Sequence, residues 1–234
     1  MKSFLWPGVA VGLMVFSWAA AQEKQSPAPD GGPAANAPDF KSIEAELVRI
    51  HDEDQKNRLQ MPEVEKKHGR NSQQVQDLWK VIRAADEANS SRVTALLDKH
   101  GWLGAEQIGA RANGALFLVI QHAQPAIQQK YLPMMRSAVK EGKARASSLA
   151  LLEDRVALGE GRPQIYGSQV MRDHTHGGRY YVRPLDDPDK VDERRAAVGL
   201  GPLADYVKKW DIVWDGEAHK KELPELMAAL RTRQ

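Results

Sequence analysis

The sequence predicts a mainly α-helical domain, orthogonal or bundle-like, with one β-hairpin inserted in its C-terminal half. Three observations carry this. Apolar residues recur at helical spacing through most of the chain beyond Asp39. Glycine and proline punctuate those stretches. One segment, Asp173-His174-Thr175-His176-Gly177-Gly178, interrupts the helical pattern as a polar turn between two strand-like runs.

Before the domain, Lys2, an apolar run from Phe4 to Phe16, and the small residues Ala19, Ala20 and Ala21 make up a secretory signal over residues 1–21. The run falls short of the roughly 20 apolar residues that span a bilayer, so it reads as cleaved after Ala21, releasing the chain to the periplasm or beyond. Residues 22–38 are rich in Pro, Ala, Gly, Ser and Asp and offer almost nothing to a core, as in a flexible linker. A single domain over residues 39–234 follows.

Asp39 is placed to cap a first helix in which Phe40, Ile43, Leu47 and Ile50 share a face. The same line then meets Asp54 and Arg58, so an apolar stripe ends in charge. A second helix over residues 72–89 carries Val75, Leu78, Trp79 and Ile82 and ends on Asp86 and Asn89. A short helix over 92–100 stops at Gly101, a suitable left-handed cap. The fourth, from 106 past 120, is the most apolar and central, and its Ala112, Ala115, Val119 line leads to His122. Helices over 127–139, where Pro133 predicts a kink, and 144–158 follow. Strands over 164–171 and 179–183 frame the hairpin at about 164–183. Helical signals return at 191–198, 203–210 and 224–230. No later segment is apolar enough to cross a membrane.

With no cysteine, disulfides, thiolate nucleophiles, thiolate metal sites and lipidation are excluded together. The formal net charge is +2, and removal of Lys2 with the signal leaves about +1. That balance gives no electrostatic case for nucleic acid or anionic lipid.

Asp54-Gln55, Gln121-His122-Ala123, Leu152-Glu153-Asp154-Arg155-Val156, Gln164-Ile165-Tyr166-Gly167-Ser168-Gln169 and Val191-Asp192-Glu193-Arg194-Arg195 form an ordered set. This set resembles that of a family of uncharacterised bacterial proteins over about residues 43–206, with Ser168 where the family has Thr. The resemblance implies a shared domain and shared polar positions, and brings no activity, substrate or cofactor with it.

The candidate site gathers Asp54, Arg58, Asp86, His122, Asp154, Arg155, Gln164, Tyr166 and Gln169 from several helices and the hairpin. His122 and Asp154 are the candidate catalytic pair, with Asp86 as the other carboxylate able to orient the ring, because an imidazole oriented by a carboxylate moves protons near neutral pH. Arg58 and Arg155 are suited to an anionic group, and Gln164, Tyr166 and Gln169 to directional hydrogen bonds. The ligand expected is a small polar molecule or a peptide, handled by binding or by acid–base catalysis. No metal or cofactor is expected. His174 and His176 lack a third ligand, and Ser168 lacks the glycine elbow of a serine hydrolase. A second reading pairs the same groups into a structural network that holds helices in register. The domain would then be a noncatalytic envelope protein meeting a partner, with Trp210 and Trp214 as packing or partner surface.

Overall fold

The computed structural model describes residues 38–172 and 178–232. The signal, nearly all of the linker, and Asp173, His174 and His176 of the turn lie outside the described residues. Within them helices dominate, and the sheet is a two-stranded antiparallel hairpin in the C-terminal half.

Helix α1 (Phe40–Arg58) is capped by Asp39, whose side chain accepts from the Ser42 amide at 3.2 Å. Ile43, Leu47 and Ile50 face the core. Helix α2 (Met61–His68) has no counterpart in the sequence pattern. None of its residues is buried, so it presents no apolar stripe to read. Helix α3 (Gln73–His100) joins what the sequence divides into two helices at residues 89–92. Asn89 and Ser90 look like a break by propensity, yet both are buried along the continuous helix, where packing outweighs a few tenths of a kcal/mol. Gly101 ends it with φ +68° as expected, but at ψ −167°, an extended region that side chains avoid.

Helix α4 (Ala105–His122) is central, and Ile108, Ala112, Ala115, Leu116, Val119 and Ile120 of it are buried. Gly109, at φ +73° and ψ 156°, breaks its first turn. Helix α5 (Pro125–Lys140) runs through Pro133 as one element, and α6 (Ala146–Gly159) packs beside it. One apolar cluster joins α1 and α3 to α6 through these faces.

Strands β1 (Val170–Arg172) and β2 (Tyr180–Val182) pair Val170 with Val182, Met171 with Tyr181 and Arg172 with Tyr180. They are shorter than the runs expected from sequence because residues 165–169 spend their amides elsewhere, as described below. After a 3-10 turn come α7 (Val191–Ala197) and α8 (Leu203–Val207), with a further 3-10 turn through Trp210. Helix α9 (Gly216–Arg231) starts well before residue 224, where the sequence places it: Asp215 caps it at the Ala218 amide, 3.0 Å away, and Pro224 sits inside. Val170, Val182, Leu185, Val191, Leu203 and Val207 form a second, smaller cluster. No helix among the described residues is long and apolar enough to cross a membrane.

Candidate functional site

Where the α1 stripe turns polar, Asp54 is buried and shares a hydrogen bond between its Oδ1 and His122 Nδ1 at 2.9 Å. Its Oδ2 accepts from Gln55 Nε2 at 2.7 Å, and Arg58 Nε lies 3.5 Å from the same oxygen. Burial alone would raise the Asp54 carboxyl, but His122, Arg58 and Gln55 overcome that and hold it down to about 2. Burial pushes His122 below the usual histidine range, against the pull of Asp54. The imidazole is therefore neutral at pH 7, with Nδ1–H donating to the carboxylate and a lone pair on Nε2. No hydrogen bond reaches Nε2 among the described residues.

Arg58 also donates through Nη2 to Asp86 Oδ1 at 2.5 Å, so one guanidinium joins Asp54 of its own helix to Asp86 of α3. Burial raises the Asp86 carboxyl although Arg58 opposes it. Asp54, Asp86 and His122 present donor atoms within 4.8 Å of one another, a spacing that can suit a divalent cation. Arg58 already supplies the positive charge between the two carboxylates, so the trio reads as an ion-pair network.

Asp154 and Arg155 follow one another on α6 and separate completely. Asp154 is fully buried: its Oδ1 accepts from the amides of Ile165 at 2.7 Å and Tyr166 at 2.9 Å, and its Oδ2 from Ser168 at 2.8 Å. Burial pushes this carboxyl up, with the three amides acting the other way. Gln164, also buried, accepts from the Gln169 amide at 2.8 Å and donates to the carbonyls of Gln169 and Arg183. From outside, Arg194 Nε donates to the Ile165 carbonyl at 2.9 Å and Arg195 Nη1 to the Tyr166 carbonyl at 2.7 Å. Gly167 adopts φ +67° with Leu203 against it, so a side chain there would both strain and clash. Much of the ordered motif set thus builds one rigid loop. Tyr166 contributes its backbone to it, while its hydroxyl donates to Glu153 at a long 3.4 Å.

That loop presents Ser168 and Gln169 to a cavity of about 1030 Å³ that Gln121, His122 and Arg155 also line, where the two apolar clusters meet. Arg155 has its Nε buried without a hydrogen bond, and no carboxylate pairs with it among the described residues. Burial lowers it to about 10, so it remains charged at neutral pH. Gln121 is buried with Oε1 lacking a donor, and Trp102 Nε1 is buried without an acceptor. Tyr206 completes the wall, donating to the Ser168 carbonyl at 2.9 Å beneath Arg195 and Lys209.

Of the residues that the sequence nominates, His122, Arg155 and Gln169 face this cavity, and Asp54 stands directly behind His122. Arg58 and Asp86 lie one step further back in the ion-pair network. Asp154, Gln164 and Tyr166 are not on the cavity, and the carboxylate that orients His122 is Asp54. Gln121, Tyr206 and Trp210 line the cavity without having been nominated. Adjacency to His122 was a signal for Gln121, whereas Tyr206 and Trp210 reach the site only through the tertiary fold. Trp214 packs on the buried His219 ring, with centroids 5.2 Å apart.

Over residues 39–216 the chain matches a family described as a family of unknown function, DUF6624. No curated protein and no solved structure matches it.

Proposed function

We propose, for a chain that belongs to the family of unknown function DUF6624, that the cavity binds a small ligand through an anionic group and that His122 Nε2 accepts a proton there. One observation carries the reading: a half-buried, charged Arg155, its Nε fully enclosed and with no ion-pair partner among the described residues, lines the same cavity as His122, an imidazole oriented by Asp54. Enclosing one nitrogen of an unpaired guanidinium is costly, and an incoming carboxylate or phosphate relieves it. The Asp54–His122 pair is the arrangement a general base needs: the carboxylate fixes the tautomer and stabilises the imidazolium once the proton arrives. We place this activity outside the cytoplasm, on the signal-like residues 1–21.

The test is a titration of the His122 Nε2 resonance with acetate and with inorganic phosphate, using protein recovered from the periplasmic fraction, whose mass should begin at Gln22. A saturable shift in the parent that Arg155→Met removes supports the site. No saturable shift with either anion in the folded parent rejects it. The structural-network reading is favoured for Asp154 and Gln164, whose polar atoms are consumed by backbone groups, and for Arg58 and Asp86, which pair across α1 and α3.

A further inference from the structure

Helix α4 has two kinds of buried face. One is sealed in the core; the other, through Ala110, Gly114, Phe117, Leu118, Gln121 and His122, is half-covered and lines the cavity. From Ala110 to His122 this stripe runs about 18 Å, at 1.5 Å per residue. Helix α1 supplies one rim, with His51 and Gln55 and with Leu59 just past its end, and α6 the other, with Ser148, Leu151 and Arg155. The cavity is therefore a groove walled along its length by three helices, with residues 142–145, residues 168–170, Tyr206 and Trp210 completing the lining. Arg155 and His122 stand at one end, Phe117, Leu118, Met135 and Leu151 line its length, and the exposed Glu44, Asp52, Arg111 and Arg145 stand on its rim.

Helical walls offer no free backbone donors or acceptors, because each N–H and C=O is spent within its helix. An extended peptide filling about 18 Å would bury roughly five residues' worth of backbone polar groups. Asn113, the obvious amide along the stripe, already donates to the carbonyls of Leu103 and Lys143. The middle of the groove can satisfy few of those groups. An apolar chain has none to satisfy. Gly114 agrees with this: a Cβ built there meets nothing within 4 Å, so α4 keeps a glycine in its interior where alanine would be more stable, and keeps the groove open beside it.

We infer that the ligand is an amphiphile, with an anionic head at Arg155 and His122 and an acyl or alkyl chain laid along α4 over Gly114, Phe117 and Leu118. This rests on the head site proposed above and specifies what is attached to the head. A fatty carboxylate and an alkyl phosphate share the chemistry, and the head group tells them apart.

The experiment is calorimetric titration of the full chain with sodium carboxylates from butanoate to tetradecanoate, with decyl phosphate, decanol and a short leucine-rich peptide as further arms. Affinity should rise by up to about fourfold per added methylene, then level once the chain fills the groove. Arg155→Met should weaken carboxylates of every length by a similar factor of about ten or more. Gly114→Leu, or Gly114→Phe as a second blocking variant, should end the gain at a shorter chain while butanoate, which stops short of residue 114, still binds. Whichever of decanoate and decyl phosphate binds more tightly identifies the head. Equal affinity for butanoate and decanoate overturns the inference and leaves the head site standing. Decanol binding as tightly as decanoate removes the anionic head. The peptide outcompeting decanoate replaces the chain with a polypeptide, and no binding by any carboxylate or by decyl phosphate brings down both readings.

Discussion

Asp154 and Arg155 are neighbours with opposite duties. Successive residues on a helix point about 100° apart, so α6 sends one carboxylate into the loop backbone and the next guanidinium into the groove. Asp154→Asn keeps the shape but faces an amide group towards at least one N–H that needs an acceptor. It should cost about 2–3 kcal/mol in urea denaturation. A loss under 1 kcal/mol would show the loop standing without that carboxylate. The sequence marks Asp154, Arg155, Gln164, Tyr166 and His122 alike, as polar residues in recurring motifs. What separates them is which partner each meets, and Asp54 lies 68 positions from His122 in the chain. Nothing local chooses between Asp54, Asp86 and Asp154 as the carboxylate that orients the imidazole.

At the scale of elements, the apolar stripes of α1 and α4 were legible because burial of one helical face imposes its own spacing. Helix α2 was not, since it buries nothing, and the join inside α3 was not, since buried Asn89 and Ser90 resemble a terminus. The strands were overdrawn because period-two alternation cannot reveal that Asp154 has claimed the amides of residues 165, 166 and 168. Two glycines of α4 give a matched test of how this helix is built. Gly114→Ala should raise stability by up to about 1 kcal/mol, as its Cβ enters open space. Gly109→Ala should lower it by about 1–3 kcal/mol, because φ is +73°, a conformation side chains avoid; the exposed Glu44 carboxylate 2.6 Å from the new Cβ can swing aside. Thermal melts of the two variants check both signs.

For the whole molecule, acid is the informative perturbation. Burial depresses the pKa of both His122 and His219, the latter accepting from the Leu185 amide at 3.2 Å. A histidine with a folded pKa below its unfolded value of about 6.5 leaves the unfolded chain binding more protons between the two. Stability should thus hold above pH 7 and fall as pH drops from 7 towards 5. His122→Ala should flatten that fall, as should His219→Ala where it folds; an unchanged slope in His122→Ala would show its imidazole taking up protons equally in the folded and unfolded chain, and a steeper one that it is protonated in the fold. Asp54, held down to about 2, contributes the same sense of dependence lower on the scale: its roughly 2 kcal/mol is present above pH 4 and lost as pH falls through 2. The joining of Asp154 to Arg155 also gives the groove a built-in reporter. Whatever seats against the guanidinium steadies the helical turn from which the next-door carboxylate grips Ile165, Tyr166 and Ser168. Those three amides, exchanging with deuterated solvent, should slow together when the groove fills, so occupancy is readable as a mass change in one short peptide even before any reaction is known.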